Sequence, residues 1–182
     1  MAERTPELLV VSDSHGDTIT LGAVFAWGKT RGISAVAFLG DGAEDPRKAF
    51  DQAAFHPVWK RVRGNSDSDH TILVQDILEL GGTRIFLCHG HLHGVQDEFS
   101  SLSTVARSFK AQIALFGHTH RPFWDEYRGI LMLNPGSVSR PRGDFLPSFA
   151  TIAFPPDGWF EPRFWTFKDG SMVKSSVREY VV

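Results

Sequence analysis

Apolar residues in this chain come in short blocks that stop abruptly at small, polar or charged residues. Residues 8–11 are all apolar and end at Ser12-Asp13-Ser14-His15-Gly16, the pattern of a buried strand opening into a loop. Leu21, Val24, Phe25 and Gly28 then recur at helical spacing, with Gly32 as the expected C-terminal stop. A second block, 35–39, closes at Gly40-Asp41-Gly42 and leads into a helix expected over 44–55. Residues 58–62 form a third block, which ends in Gly64-Asn65. Blocks 72–80 and 84–88 flank Gly81-Gly82, the composition of a hairpin turn, and the second ends at His89-Gly90. Phe99, Leu102, Ala106 and Phe109 mark one face of a helix expected over 97–110, and 113–116 runs into Gly117-His118-Thr119-His120.

Beyond residue 120 the pattern changes. Residues 123–127, 130–133, 149–154 and 160–167 are strand-like and split by Gly and Pro, with Pro155-Pro156-Asp157-Gly158 expected as a hairpin turn. The first two-thirds therefore reads βαβα and the last third as a β-meander, an α/β protein. No repeat, low-complexity stretch or linker divides residues 1–182, so one domain is expected.

Composition narrows the picture. The 182 residues include 42% hydrophobic and 12% aromatic residues, enough for a sizeable core. With 19 Lys and Arg against 21 Asp and Glu the formal charge is −2, so no global positive field points to nucleic acid or an anionic membrane, and any phosphate recognition must be local. The apolar stretch at 8–11 is too short for a secretory leader, and no run reaches transmembrane length. The single cysteine, Cys88, lies in an apolar run and reads as a buried small residue; a cytoplasmic location is expected.

The chemistry sits where the apolar blocks end. Five separate blocks terminate in potential metal ligands: Asp13 and His15, Asp41, Asn65, His89, then His118 and His120. Strand ends converge in open α/β sheets, so distance in sequence is no obstacle. Within Asp13-x-His15 and His118-x-His120, an extended backbone would turn both side chains the same way. Flanking glycines permit positive φ and close backbone approach. Imidazoles with carboxylate and amide oxygens, and no thiolate, favour Mn, Fe, Zn, Ni or Co over a structural Cys-rich zinc site. Two divalent ions would outweigh the charge of Asp13 and Asp41. That excess would acidify a bridging water into a hydroxide nucleophile and attract a phosphate ester.

The order Asp-x-His, Gly-Asp, Gly-Asn, His-Gly-His, Gly-His-x-His resembles the calcineurin-like metallophosphoesterases, and the tail Asn134-Pro135-Gly136-Ser137 together with the short length is similar to their small YfcE-type phosphodiesterases. The resemblance implies a two-sheet β-sandwich flanked by helices, with manganese the usual ion. It also implies that Asp13, His15 and His120 hold one metal, that Asn65, His89 and His118 hold a second, and that Asp41 bridges them. Larger members carry Gly-Asn-His-Glu, whose His serves the substrate or leaving group; here the chain reads Gly64-Asn65-Ser66-Asp67. Loss of such an acid slows turnover by roughly 10²- to 10⁴-fold unless another group substitutes, and His91 is the candidate.

Other residues carry bland readings. His56 and His70 are expected at the surface, and His93 has little claim to a role. Arg140 and Arg142 read as solvated loop residues before they read as phosphate ligands. Phe149, Phe154, Phe160, Phe164, Trp165 and Phe167 read as core or subunit contact, the latter suggesting a homodimer. Two other functions compete with a phosphodiesterase acting on a small ester: a metal-binding scaffold similar to the small retromer subunit, and a phosphomonoesterase or nucleotidase. Specificity is expected from the loops at 91–96 and 140–145.

Overall fold

The computed structural model describes residues 5–156, 160–167 and 177–180, the last as backbone only. In chain order the elements are β1 (Glu7–Val11), α1 (Thr18–Arg31), β2 (Ala35–Phe38), α2 (Asp45–Ala53), β3 (Val58–Arg61), β4 (Gln75–Leu80), β5 (Thr83–Cys88), α3 (Ser100–Ser108), β6 (Ile113–Leu115), β7 (Pro122–Tyr127), β8 (Ile130–Pro135), β9 (Ser148–Ala153), β10 (Glu161–Phe167) and β11 (Val177–Tyr180). They build two sheets. One has the order β11-β10-β9-β1-β2-β3, the other β4-β5-β6-β8-β7. The parallel run β1-β2-β3 forms one edge of the first sheet, with β9, β10 and β11 antiparallel beyond β1, whereas β5-β6-β8 is parallel at the centre of the second, with β4 and β7 antiparallel on either side.

Alternation along the central strands explains the layering. Leu8 and Val10 face between the sheets with Ile85, Leu87, Ile113 and Leu115, while Leu9 and Val11 face outward beneath α1 and α2. Both faces of β1 are thus buried, which is why its sequence is continuously apolar rather than alternating. On the outside of the second sheet, Phe86, Ala114 and Met132 pack under Leu102 and Ala106 of α3. The result is the helix-sheet-sheet-helix sandwich that the resemblance implies. Helix α1 stops where expected, with Gly32 left-handed at φ 67°, and Asp17 caps its start by accepting from Thr20 N at 2.9 Å.

Three readings of the sequence need correction. The last third is not one meander: β7 and β8 complete the second sheet, whereas β9, β10 and β11 extend the first. Alternating strands look alike whichever sheet they join, so the sequence does not separate them. The βαβα reading also fails after β3, where the chain passes to the other sheet with no helix and forms the β4-β5 hairpin, whose Gly81 and Gly82 both have positive φ. The helix expected over 97–110 is shorter, Ser100–Ser108. Of the expected turn at 155–158, Asp157 and Gly158 lie outside the described residues. Phe149, Phe154, Phe164, Trp165 and Phe167 are buried in this chain's own core, which removes the ground for reading them as a subunit contact. Among the described residues no helix is long and apolar enough to cross a membrane.

Candidate metal centre

The loops that follow β1, β2, β3, β5 and β6 meet at one edge of the sandwich, stitched by main-chain hydrogen bonds: Asp13 N to Gly40 O at 3.0 Å, His15 N to Asp41 O at 2.9 Å and Gly117 N to His89 O at 2.9 Å. Asp13, His15, Asp41 and His120 each offer a ligand atom there, all four within 4.8 Å of one another. His120 Nε2 lies 3.1 Å from Asp13 Oδ1, and His15 Nε2 lies 3.7 Å from Asp41 Oδ2. His89 adjoins this group, its Nε2 3.5 Å from Asp41 Oδ1 and 4.0 Å from Asp13 Oδ1. His118 stands beside His89, ring centroids 5.2 Å apart, with Nε2 2.9 Å from the Gln96 amide. Asn65 is exposed on the cleft wall, shared with Ser66, His118 and Arg140, and its amide donates to Ser66 Oγ at 3.4 Å.

Several of these residues take a backbone that the extended-strand reading did not foresee. Asp13, His15, Asp41, His118 and His120 have φ of 56°, 45°, 53°, 68° and 58°, all left-handed. Each such residue costs of order 1 kcal/mol, less for Asp and His than for branched side chains. The alternation argument for the two x-spaced pairs therefore fails; tight turns, not extended strand, bring the side chains together. At Gly64 and Gly117 the need for glycine is space, not φ. A Cβ on Gly64 would lie 2.1 Å from Asp41 Oδ1, and one on Gly117 2.1 Å from Ser12 Oγ and 2.8 Å from Asp13 Oδ2.

What holds these turns was not visible as chemistry in the sequence. The Asp67 carboxylate accepts from the backbone N–H groups of Asp41, Gly42, Ala43 and Gly64 at 2.7 to 2.9 Å, tying the loop after β2 to the loop after β3. Ser66 donates its N–H and hydroxyl to the two oxygens of Asp41. The Asn134-Pro135-Gly136-Ser137 block acts through side chains more than as a turn. Asn134 donates to Gly117 O at 2.7 Å, while Ser137 and Ser139 donate to Asp13 O at 2.7 and 3.0 Å.

The site's electrostatics follow from burial and these neighbours. Burial alone would raise the pKa of Asp41, but the adjacent His89 and the hydrogen bonds from Ser66 outweigh it and hold the carboxyl well below its usual range. For His89 burial favours the neutral ring, yet the Asp41 and Asp13 carboxylates win and raise its pKa; Asp13 does the same for His120. Burial prevails at His15, His118 and His91, whose pKa values are lowered. The Nδ1–H of His89 donates to Leu39 O at 2.7 Å and that of His120 to Arg140 O, so in the neutral rings Nε2 carries the lone pair and faces the carboxylates.

These residues suit a hard-to-intermediate divalent cation. Asp13 Oδ1 and His89 Nε2 are fully buried and make no hydrogen bond among the described residues, a condition that a cation would relieve. His91 lies at the flank, its ring 5.4 Å from His89 and 6.2 Å from His118. Arg140 and Arg142 are exposed, as expected, and also line the cleft, which has a volume of about 360 Å³. His56 and His70 are exposed, as expected.

Residues 7–155 match the model of the calcineurin-like phosphoesterase superfamily domain. The chain is 30% identical over 167 residues to the phosphodiesterase YfcE of Escherichia coli K12, covering 80% of this chain and 86% of that protein. It resembles the crystal structure of a predicted phosphoesterase from Streptococcus pneumoniae TIGR4 with a TM-score of 0.77 at 30% identity, covering 98% of this chain and 99% of that one. It shares its fold with zinc-complexed Vps29 from Entamoeba histolytica, TM-score 0.70 at 22% identity over 97% and 98% of the two chains.

Proposed function

The chain belongs to the calcineurin-like phosphoesterase superfamily, and from that membership we propose that it is a phosphodiesterase working with two divalent cations, manganese first among the candidates. The observation that carries this reading is the buried carboxylate pair Asp13 and Asp41 faced by Nε2 of His15, His89 and His120. Asp13, His15 and His120 would hold one cation, Asn65, His89 and His118 the other, and Asp41 both. When bound, the cations supply Lewis acidity, acidifying water and offsetting charge on the phosphate oxygens during in-line displacement.

The chain's own residues orient and exclude. The carbonyls of Leu39 and Arg140 fix the rings of His89 and His120, so Nε2 of each is presented to the site. Asp41 and Asp13 raise the pKa of those two rings, so a cation, which takes the neutral imidazole, would compete with protons there. Arg140 and Arg142 stand at the cleft rim, where guanidinium donors meet a bound phosphate. Ser66 spends its hydroxyl on Asp41 and is no acid for the departing oxygen.

A chromogenic phosphodiester with and without manganese tests the reading. Hydrolysis should require the metal and exceed that of the monoester with the same leaving group. Faster monoester turnover would make the chain a phosphomonoesterase, and metal-loaded but inert protein would point to a scaffold. For His91 we keep the departing oxygen as its contact. Burial and the neighbouring His89 lower its pKa, which makes the ring a readier proton donor to that oxygen when it is charged. His91→Ala should slow diesters of poor leaving groups by about 10²-fold and nitrophenyl esters far less. Equal effects on both would remove His91 from that role.

A further inference from the structure

Beside the metal cleft lies a second cavity, of about 450 Å³, within the range of small-molecule sites, roughly 300 to 1,000 Å³. Its wall is aromatic: Phe99, Phe116, Phe123 and Phe145 line it, with Phe99 5.0 Å from Phe123 and 5.5 Å from Phe116 between ring centroids. Its mouth is polar, formed by Gln96, Asp97, Arg121 and Arg142. Two links join it to the site. Arg142 lines both cavities, and Gln96 sits at this mouth with its amide against His118.

Phe99 is placed for the cavity at the expense of its helix. It occupies the N-cap of α3, where Ser, Thr, Asp or Asn is preferred, and no side chain caps that end. Among the described residues neither the Arg121 nor the Arg142 side chain makes a hydrogen bond or ion pair, although both edge an apolar wall. An alkyl chain would cover these polar groups without partnering them. A flat heteroaromatic ring would lie on the phenylalanines, present hydrogen-bonding edges to Gln96 and Asp97, and offer a face to guanidinium.

We propose that this cavity binds a planar heteroaromatic group carried on the phosphate ester, so that the substrates are nucleoside-type phosphodiesters with the phosphate in the metal cleft. This rests on the phosphoesterase reading, because the cleft is what fixes the phosphate beside the cavity. It gives the loops at 91–96 and 140–145 a specific ligand.

The test compares four monoesters as inhibitors of manganese-dependent hydrolysis of a chromogenic diester: methyl phosphate, octyl phosphate, ribose 5-phosphate and adenosine 5′-monophosphate. All share the phosphate, and only the last carries a base. It should bind about 10- to 100-fold more tightly than ribose 5-phosphate. Phe145→Ala should shrink that ratio toward one, whereas Trp124→Ala, an exposed aromatic outside the cavity, should leave it intact. Equal inhibition by the two sugar phosphates in the wild-type protein overturns the proposal, as does octyl phosphate binding more tightly than the nucleotide. If no diester is hydrolysed, the function fails separately. The same ratio, measured by calorimetry on manganese-loaded protein, then still decides the cavity.

Discussion

Replacing Asp41 by Asn should lower kcat/KM toward a chromogenic diester by about 10³-fold or more while leaving the fold in place. Asp41 reaches toward both halves of the site, with Oδ2 3.7 Å from His15 and Oδ1 3.5 Å from His89. Asn keeps the shape and can still accept from Ser66, but it removes half of the carboxylate charge that would balance two cations. Metal content should fall accordingly, from two manganese ions per chain to one or none. Stability should fall as well. In the metal-free protein His89 and the hydrogen bonds from Ser66 hold the Asp41 carboxyl well below its usual range, so the fold favours its charged form, and neutralising it should lower the chelated protein's Tm modestly. Loss of activity far beyond that change, in protein that remains folded, separates a chemical role from a folding defect. An Asn variant that keeps both metal and rate would remove Asp41 from the centre.

Asp67→Ala should act on both quantities together. Its carboxylate is the common acceptor for four backbone N–H groups, those of Asp41, Gly42, Ala43 and Gly64. Hydrogen bonds to a charged acceptor contribute about 1.5 to 3 kcal/mol each, and they do not add when the partners relax together. A loss of about 3 kcal/mol is expected, a fall in Tm of roughly 6 to 12 °C for a chain of this size. Asp41 would lose the backing that keeps it in its left-handed turn, so activity should drop about 10- to 100-fold, the usual effect of removing an outer partner of a metal ligand. Asp67→Asn retains one acceptor oxygen for two of the four donors, and its amide would face the other two; it should recover only part of the stability. An alanine variant with wild-type Tm and rate would show that the two loops hold each other without this residue.

The contrast between these two residues shows what was legible in the sequence. Asp41 stands at the end of an apolar block beside glycines, so its place in the chain alone marks it as a strand-end ligand. Asp67 touches only backbone amides, three of them 24 to 26 residues away, and backbone donors leave no mark on a sequence. The same holds for Ser137 and Ser139, which brace Asp13 O across the molecule. The central strands were legible because burial on both faces makes them continuously apolar. Which sheet β9 and β10 join was not, because an alternating strand pairs equally well with either. The left-handed turns were only hinted at, by Asp and His next to glycine. The cavity at Phe99 was hidden for a further reason: its phenylalanines fit helical and strand periodicity and so read as ordinary core.

The proposed chemistry requires these loops to hold a pair of cations around Asp41. Anomalous diffraction from crystals of the manganese-loaded protein addresses that directly. Two peaks per chain are predicted, both within bonding reach of Asp41, one also beside Asp13, His15 and His120 and the other beside Asn65, His89 and His118. A single peak away from Asp41, or none at saturating manganese, would contradict it.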